Sequence, residues 1–301
     1  MRIVVTGKTG QVARSLIERA AMHEGAEIVA VGRPELDLLD APSIKRAIAA
    51  ARPDIVVSAA AYTAVNRAED EPELAHAVNT VGAGRVAEAA AEAGAPVIHL
   101  STDYVFGGAG DEPHGEDDAT GPLGVYGQSK LAGERAVALA NPRHLILRTA
   151  WLYSPFGTNF VRTMLRLAAR RDEIPVIADQ WGNPTSALDV ADGILRITEV
   201  LNGQTAAFPT GIFHLAGAGA TNWSGLARHV FAISRARGGP YATVRDIVSA
   251  DYPTKARRPA NSRLAMARFA ATCGWIPPDW RQSTEDVVTR LVGTGDNAGG
   301  L

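Results

Sequence analysis

"VVTGKTGQVA" (residues 4–13) joins a β-branched run to a helix-like run through two glycines three positions apart. "RIVVTG" (2–7) reads as a buried strand, and "QVARSLIERAAM" (11–22) carries apolar residues at helical spacing. A glycine turn between a strand and a helix lets the backbone approach a pyrophosphate. The helix N-terminus then offers unpaired N–H groups and the positive end of its dipole. Gly7 and Gly10, with Gln11 and Val12 opening the helix, are the candidate contacts. The third position of G-x-x-G-x-x-G is Ala13, still small enough for close helix–strand packing. Such a turn can also be purely structural, and it is the strand–turn–helix setting that favours a dinucleotide.

Outward from this turn, the first 150 residues alternate short apolar runs with Ala-rich helical ones. "AEIVAVG" (26–32), "DIVVSAAA" (54–61), "PVIHLSTD" (96–103) and "HLILRTAW" (144–151) read as strands. "APSIKRAIAAARP" (41–53) and "SKLAGERAVALA" (129–140) read as helices. "PELAHAVNTVGAGRVAEAAAEAG" (72–94) reads as one long helix or two in succession. This order predicts a parallel sheet covered on both faces, since near-continuous apolar strands are buried on two sides. The expected fold is α/β, a Rossmann-type doubly wound parallel sheet with a smaller C-terminal α/β substrate domain. Residues 1–150 form the dinucleotide-binding domain, with returning segments near 186–218, and 151–301 form mainly the substrate-binding domain. In the second part, "FVRTMLRLAAR" (160–170) and "ALDVADGILRITEVL" (187–201) look helical and "GIFHLAG" (211–217) a strand. Thr221 or Asn222 caps a further helix, and the Gly-rich tail (293–301) reads as frayed.

Charge nearly cancels, 30 Lys+Arg against 32 Asp+Glu, so neither nucleic acid nor an anionic membrane is an expected partner. One cysteine, Cys273, allows no intrachain disulfide and reads as a packed thiol. The seven histidines are scattered without an H-x-x-x-H pair, so no metal is expected. The chain opens directly on a strand and has no apolar run of spanning length. The expected location is cytoplasmic.

The end of the second strand reads the adenosine ribose in such folds, where an acid prefers NAD. Here "VGRPE" places Arg33 instead, which suits a 2′-phosphate and hence NADPH, with NADH as the alternative. An exposed loop charge is the plainer reading of Arg33. Asp37 and Leu38 follow and could meet the adenine edge.

"VYGQSKLAGE" (125–134) sets Tyr126 and Lys130 one helical turn apart, on one face. Alone, that pair would be an ordinary surface contact. With the nucleotide turn and "STDYVF" (101–106) at the end of a strand, the sequence resembles the extended short-chain dehydrogenase/reductase superfamily. "GKTGQV" (7–12), "AAAYTAVNRAE" (59–69), "STDYVFGG" (101–108), "YGQSKLAGE" (126–134), "LRTAWLY" (147–153), "DQWGNPT" (179–185) and "ARRPANSRL" (256–264) together look like the dTDP-4-dehydrorhamnose reductase family, from residue 1 to about residue 285.

The resemblance implies NAD(P)H-dependent reduction of the C4 ketone of dTDP-4-dehydro-6-deoxy-L-mannose to dTDP-L-rhamnose. It implies Tyr126 as proton donor, Thr102 bonding the same oxygen, and Lys130 beside the phenol and on the nicotinamide ribose. A cation beside a phenol brings its pKa toward the working range. Ser101 should face away from Thr102 on a strand. Ala61, Tyr62, Thr63 and Leu100 match cofactor contacts; Asp103, Trp151, Arg257 and Arg258 match substrate contacts. A turn cap for Asp103, a core role for Trp151 and a solvated basic loop for the arginines are the plainer readings. Some family members are dimers bridged by magnesium through acids, one on the first helix, where this chain has Ser15. A monomer or another homodimer is the expectation here. The alternatives are a 4-ketoreductase or epimerase on another nucleotide sugar. A further one is a non-catalytic regulatory subunit of the methionine adenosyltransferase type, which resembles the same family.

Overall fold

The computed structural model of the protein describes residues 1–23, 25–203 and 208–293. Of the tail expected to fray, 293–301, only Gly293 is described, as the last residue of a helix, and 294–301 lie outside the described residues. The strands are β1 (Arg2–Thr6), β2 (Glu27–Val31), β3 (Ile55–Ser58), β4 (Val97–Thr102), β5 (His144–Thr149), β6 (Leu152–Tyr153), β7 (Glu173–Ile177), β8 (Trp181–Gly182), β9 (Thr185–Ser186), β10 (Gly211–His214), β11 (Thr221–Asn222) and β12 (Thr243–Ile247). The helices are α1 (Gln11–Ala20), α2 (Ala41–Ala51), α3 (Val65–Ala68), α4 (Pro72–His76), α5 (Ala83–Glu92), α6 (Val125–Ala140), α7 (Phe160–Ala168), α8 (Ala187–Gly203), α9 (Trp223–Ala236), α10 (Ala267–Cys273) and α11 (Trp280–Gly293).

Six strands form one parallel sheet in the order β10-β5-β4-β3-β1-β2. Alternate residues of each strand face opposite ways, and both faces are apolar. Ile3, Val5, Ile55, Val57, Ile98 and Leu100 pack with Leu16 of α1 and Ile194 of α8 on one side. Val56 and Val97 pack with Ile48 of α2, Val86 of α5 and Val137 of α6 on the other. Burial on both faces is why these strands read as continuous apolar runs. The chain passes from β1 to β2 on one side and then crosses to β3 on the other. The switch point therefore lies between β1 and β3, where ligands bind in open α/β sheets.

Segment 72–94 is one continuous helical run as far as Glu92, with a π-helical turn, Ala77–Gly82, between α4 and α5. α6 opens at Val125, earlier than 129, so Tyr126 lies in its first turn. Asn222, not Thr221, caps α9, its side chain accepting from Gly225 N. A second core gathers α7, α9 and α11 around the parallel pair β7–β12, with Phe231, Leu165, Val176 and Trp280 buried in it. That strand pair went unread, because Pro175 interrupts β7 and β12 ("TVRDI") exposes most of its residues. Cys273 is buried, as the lone thiol was expected to be.

Candidate active site

A cavity of about 900 Å³ opens at the β1/β3 switch point. Ten predicted cofactor residues line it: Gly7, Gly10, Gln11, Val12, Arg33, Asp37, Leu38, Ala61, Tyr62 and Thr63. Gly7 has φ +97°, the left-handed region that favours glycine, and a Cβ there would sit 3.6 Å from Ala60 Cβ. Thr6 Oγ1 accepts from the backbone N–H of Ala59 and Ala60, both at 3.0 Å, stitching the end of β1 to the end of β3. Gly10 caps α1 with extended backbone and no side-chain bond. The first N–H groups of α1 are thus left without intrahelical partners at the cavity wall. Arg33 is exposed on the rim and makes no ion pair among the described residues. Lys8 pairs with Glu35 on the same rim. Gln11 reaches the other way, its Oε1 accepting from Ser154 Oγ (2.8 Å) and Asn159 Nδ2 (3.0 Å). Asp37 Oδ1 accepts from Leu39 N, so part of its role is to shape the turn.

Asn79, in the π-helical turn, ties this cavity to α6. Its Oδ1 accepts from Tyr62 N at 2.8 Å, and its Nδ2 donates to Tyr62 O and Ser129 Oγ, both at 3.0 Å. α6 comes so close here that a Cβ on Gly133 would fall 2.1 Å from Asn79 O. Ser129 in turn donates to Tyr126 O. Glu69 completes the alignment: its Oε1 accepts from Val125 N at 2.9 Å, capping α6 where Gly124 has no side chain to do so.

Tyr126 is half-buried, with its hydroxyl end enclosed. Burial pushes its pKa up to about 12, the Thr102 hydroxyl draws it down, and the charge of Asp103 raises it. The Tyr104 ring meets the Tyr126 ring edge-on at 5.9 Å. Thr102 ends β4; its Oγ1 donates to Asp103 Oδ1 at 3.0 Å and accepts from Tyr104 N. Asp103 is 3% exposed, and burial pushes its carboxyl up to about 7 against the pull of the nearby Ser262 and Thr102 hydroxyls. Ser101 faces away, donating to Glu134, which also takes a bidentate bond from Arg148. Lys130, one turn along α6 from Tyr126, donates from Nζ to Leu100 O at 2.6 Å and lies 3.3 Å from His99 Nε2. The Leu100 side chain belongs to the sheet core, so it is its carbonyl that faces the site.

Trp151 has φ +46° and stacks on Trp223 with centroids 3.5 Å apart and planes at 5°. Its Nε1 donates to Ser262 Oγ at 3.2 Å, and a Cβ on Gly182 would fall 2.5 Å from the indole. A non-glycine residue held at positive φ by a stack, a hydrogen bond and a glycine beneath it is a preorganised face. Trp223 and Tyr104 also line a cleft of about 450 Å³ with Arg258 and Tyr252. Arg258 bonds toward Tyr104 there, while Arg257 is exposed and lines a niche with Glu69 and Tyr126. The two arginines line different recesses. Among the described residues no group of three His, Cys, Asp or Glu is placed to hold a metal. No described helix is long and apolar enough to cross a membrane.

Asn79, His99 and Ser262 were not singled out from sequence. Asn79 and His99 are lone polar residues inside apolar runs, the one available signal; Ser262 and Glu69 lie inside blocks already quoted.

A family model described as RmlD substrate binding domain matches residues 1–292. The dTDP-4-dehydrorhamnose reductase of Sinorhizobium fredii is 50% identical over 298 residues, spanning 99% of this chain and 100% of that protein. That of Escherichia coli K12 is 42% identical over 301 residues, spanning 98% and 99%. Among solved structures, the Clostridium acetobutylicum dTDP-4-dehydrorhamnose reductase superposes with a TM-score of 0.88 at 32% identity, covering 97% of this chain and 99% of that one. The Bacillus anthracis dTDP-4-dehydrorhamnose reductase, solved in complex with NADP, gives 0.88 at 31% identity, covering 96% and 99%. With this coverage, sheet order and site, the chain belongs to the dTDP-4-dehydrorhamnose reductase family.

Proposed function

We propose that this protein reduces the C4 ketone of dTDP-4-dehydro-6-deoxy-L-mannose to the hydroxyl of dTDP-L-rhamnose, with NADPH as reductant. The observation that carries the reading is the gathering of Thr102, Tyr126 and Lys130 at the carboxyl end of β4, bound by Asn79 to the floor of the dinucleotide cavity.

The cavity residues fit a dinucleotide: a positive-φ glycine, an uncapped helix N-terminus and a 900 Å³ groove across the switch point. Reduced nicotinamide supplies a hydride when bound. Gly7, Gly10, Gln11 and Val12 would hold the pyrophosphate, Arg33 the 2′-phosphate, and Ala61, Tyr62 and Thr63 the floor. Tyr126, with its pKa near 12, holds its proton at neutral pH. An alkoxide forming at C4 is a stronger base than a phenolate, so proton transfer from Tyr126 runs downhill. Thr102 would bond the same oxygen by turning its one hydroxyl hydrogen from Asp103, and Lys130, held on Leu100 O one turn along α6, supplies the buried cation of the site. Trp151 offers a flat face to the sugar, Asp103 an acceptor for its hydroxyls, and Arg258 with Arg257 cations for the diphosphate.

Residues 1–150 with the segments near 186–218 act as the dinucleotide-binding domain, supported by the pairing of β10 with β5 and the packing of α8 on the same core as α1. The remainder of 151–301 acts mainly as the substrate domain, supported by its separate core. The reading places the protein in the cytoplasm, as a monomer or homodimer. Incubation with NADPH and enzymatically generated keto-sugar nucleotide tests it: the expected product is dTDP-L-rhamnose, and NADPH left unoxidised contradicts it.

A further inference from the structure

Lys130 is 2% exposed and His99 1%. Lys130 Nζ lies 3.3 Å from His99 Nε2, and His99 Nδ1 lies 3.1 Å from Ser58 Oγ. An ammonium has three N–H donors and no lone pair. Nε2 must therefore be the acceptor, which puts the ring hydrogen on Nδ1, donating to Ser58. The ring is then neutral, since an imidazolium would offer Lys130 no lone pair and would set two cations side by side in the core. Burial first, and the Lys130 charge second, hold the His99 pKa well below the usual histidine range.

We propose that His99 is a positioning residue for the reductase: a neutral Nδ1–H ring, oriented by Ser58, that accepts from Lys130 and so keeps the buried ammonium charged and aimed. It rests on the reading above that Lys130 takes part in the reaction. With two N–H groups committed to Leu100 and His99, one donor remains for a ligand.

The ammonium needs this support. Burial pushes Lys130 down to about 8, and the one charge that raises it is Glu134 on its own helix. Glu134 is already engaged by Arg148 of β5 and Ser101 of β4. Most other titratable groups on elements packed against α6 have partners of their own: Glu92 pairs with Lys45, His144 meets Asn141 O and Tyr104 bonds with Arg258, while Glu73 of α4 is exposed. Arg67 of α3 pairs with Glu71, and Glu69 accepts from Val125 N. His76 of α4 meets Thr80, and Arg85 of α5 pairs with Glu88. Asp103 holds the Thr102 hydroxyl. The acceptors at Nζ are the Leu100 carbonyl and His99.

The test begins with the unmutated full chain. Long-range 15N–1H spectra of its imidazoles from pH 8 to 5 should show the ring whose signals are lost in His99→Gln in the Nδ1–H tautomer and not titrating, and that assignment tells it apart from the buried His214 ring, whose Nδ1 faces the Ala265 carbonyl. A His99 ring in the Nε2–H tautomer, or one titrating near pH 6.5, overturns the proposal. Kinetics supply the second readout. His99→Leu should move the alkaline limb of the kcat–pH profile about one unit toward acid, and His99→Gln, whose amide oxygen can accept, should restore it. A merely structural histidine would lower Tm in His99→Leu and leave that limb in place, which also overturns the proposal. If His99→Leu does not fold, the wild-type tautomer and the His99→Gln profile decide. Turnover with the wrong tautomer removes the His99 role alone; wild type with no turnover removes the reductase reading and the positioning role with it.

Discussion

Lys130 Nζ reaches the carbonyl oxygen of Leu100 across 2.6 Å, and the sheet register explains why that oxygen is available. β3 pairs with β4 only as far as Ser58 opposite His99, whereas β5 follows β4 to Thr102. Past His99 the β3 side of β4 has no neighbouring strand among the described residues, and a buried carbonyl there needs another donor. The end of the shorter strand thus opens the crevice and anchors the lysine. Tyr126→Phe should lower kcat by about 10²–10⁴ while leaving NADPH affinity within about twofold, as read by stopped-flow and calorimetry. Lys130→Met should lower both, because it removes the proposed ribose donor as well as the cation.

Asp103 makes stability depend on pH in an unusual direction. Burial raises its folded pKa to about 7, above the 3.8 of an ordinary aspartate, so the folded protein binds the proton more tightly than the unfolded chain. This contribution is fully present below pH 3.8 and is lost as pH rises through 7. The whole span is worth at most roughly 4 kcal/mol. Asp103→Asn, which cannot ionise, should gain Tm relative to wild type at pH 8 and not at pH 4, and should lose activity. A Tm difference independent of pH would contradict this.

Arg33 is exposed on the cavity rim and pairs with no carboxylate among the described residues. Arg33→Ala should raise KM for NADPH by about tenfold, as expected for loss of a charge-assisted bond worth about 1.5 kcal/mol. KM for NADH should change little. Equal rises for both would sink the 2′-phosphate assignment.

Glu69 caps α6 from just beyond the end of α3. Glu69→Ala should cost about 1 kcal/mol of stability and lower kcat, since Tyr126 lies in the turn that loses its cap. Glu69→Gln keeps an acceptor oxygen and should recover most of both. Denaturant midpoints alongside kcat check this.

The residues legible in the sequence share one property: their meaning is local. The glycine turn, the strand runs and the Tyr126/Lys130 spacing each lie within one element and its neighbours. The continuous apolar runs reported the six-stranded sheet because both its faces are buried. β7 and β12 lacked that signature, being a two-stranded pair with a proline in one strand and charges in the other. His99, Asn79 and Ser262 act through partners 31, 50 and 111 positions away, respectively Lys130, Ser129 and Trp151, distances no spacing rule covers. The placement of Lys130 on Leu100 likewise needed the register of three strands, which the sequence does not display.

The central claim is hydride delivery to C4 of the keto sugar with Tyr126 as proton source. The measurement that tests it most directly uses NADPH carrying deuterium at the transferable C4 position of the nicotinamide, with product analysis by NMR. The account predicts dTDP-L-rhamnose with deuterium at sugar C4, formed by wild type and essentially absent with Tyr126→Phe. Unlabelled product, label at another carbon, or full turnover by Tyr126→Phe would contradict it.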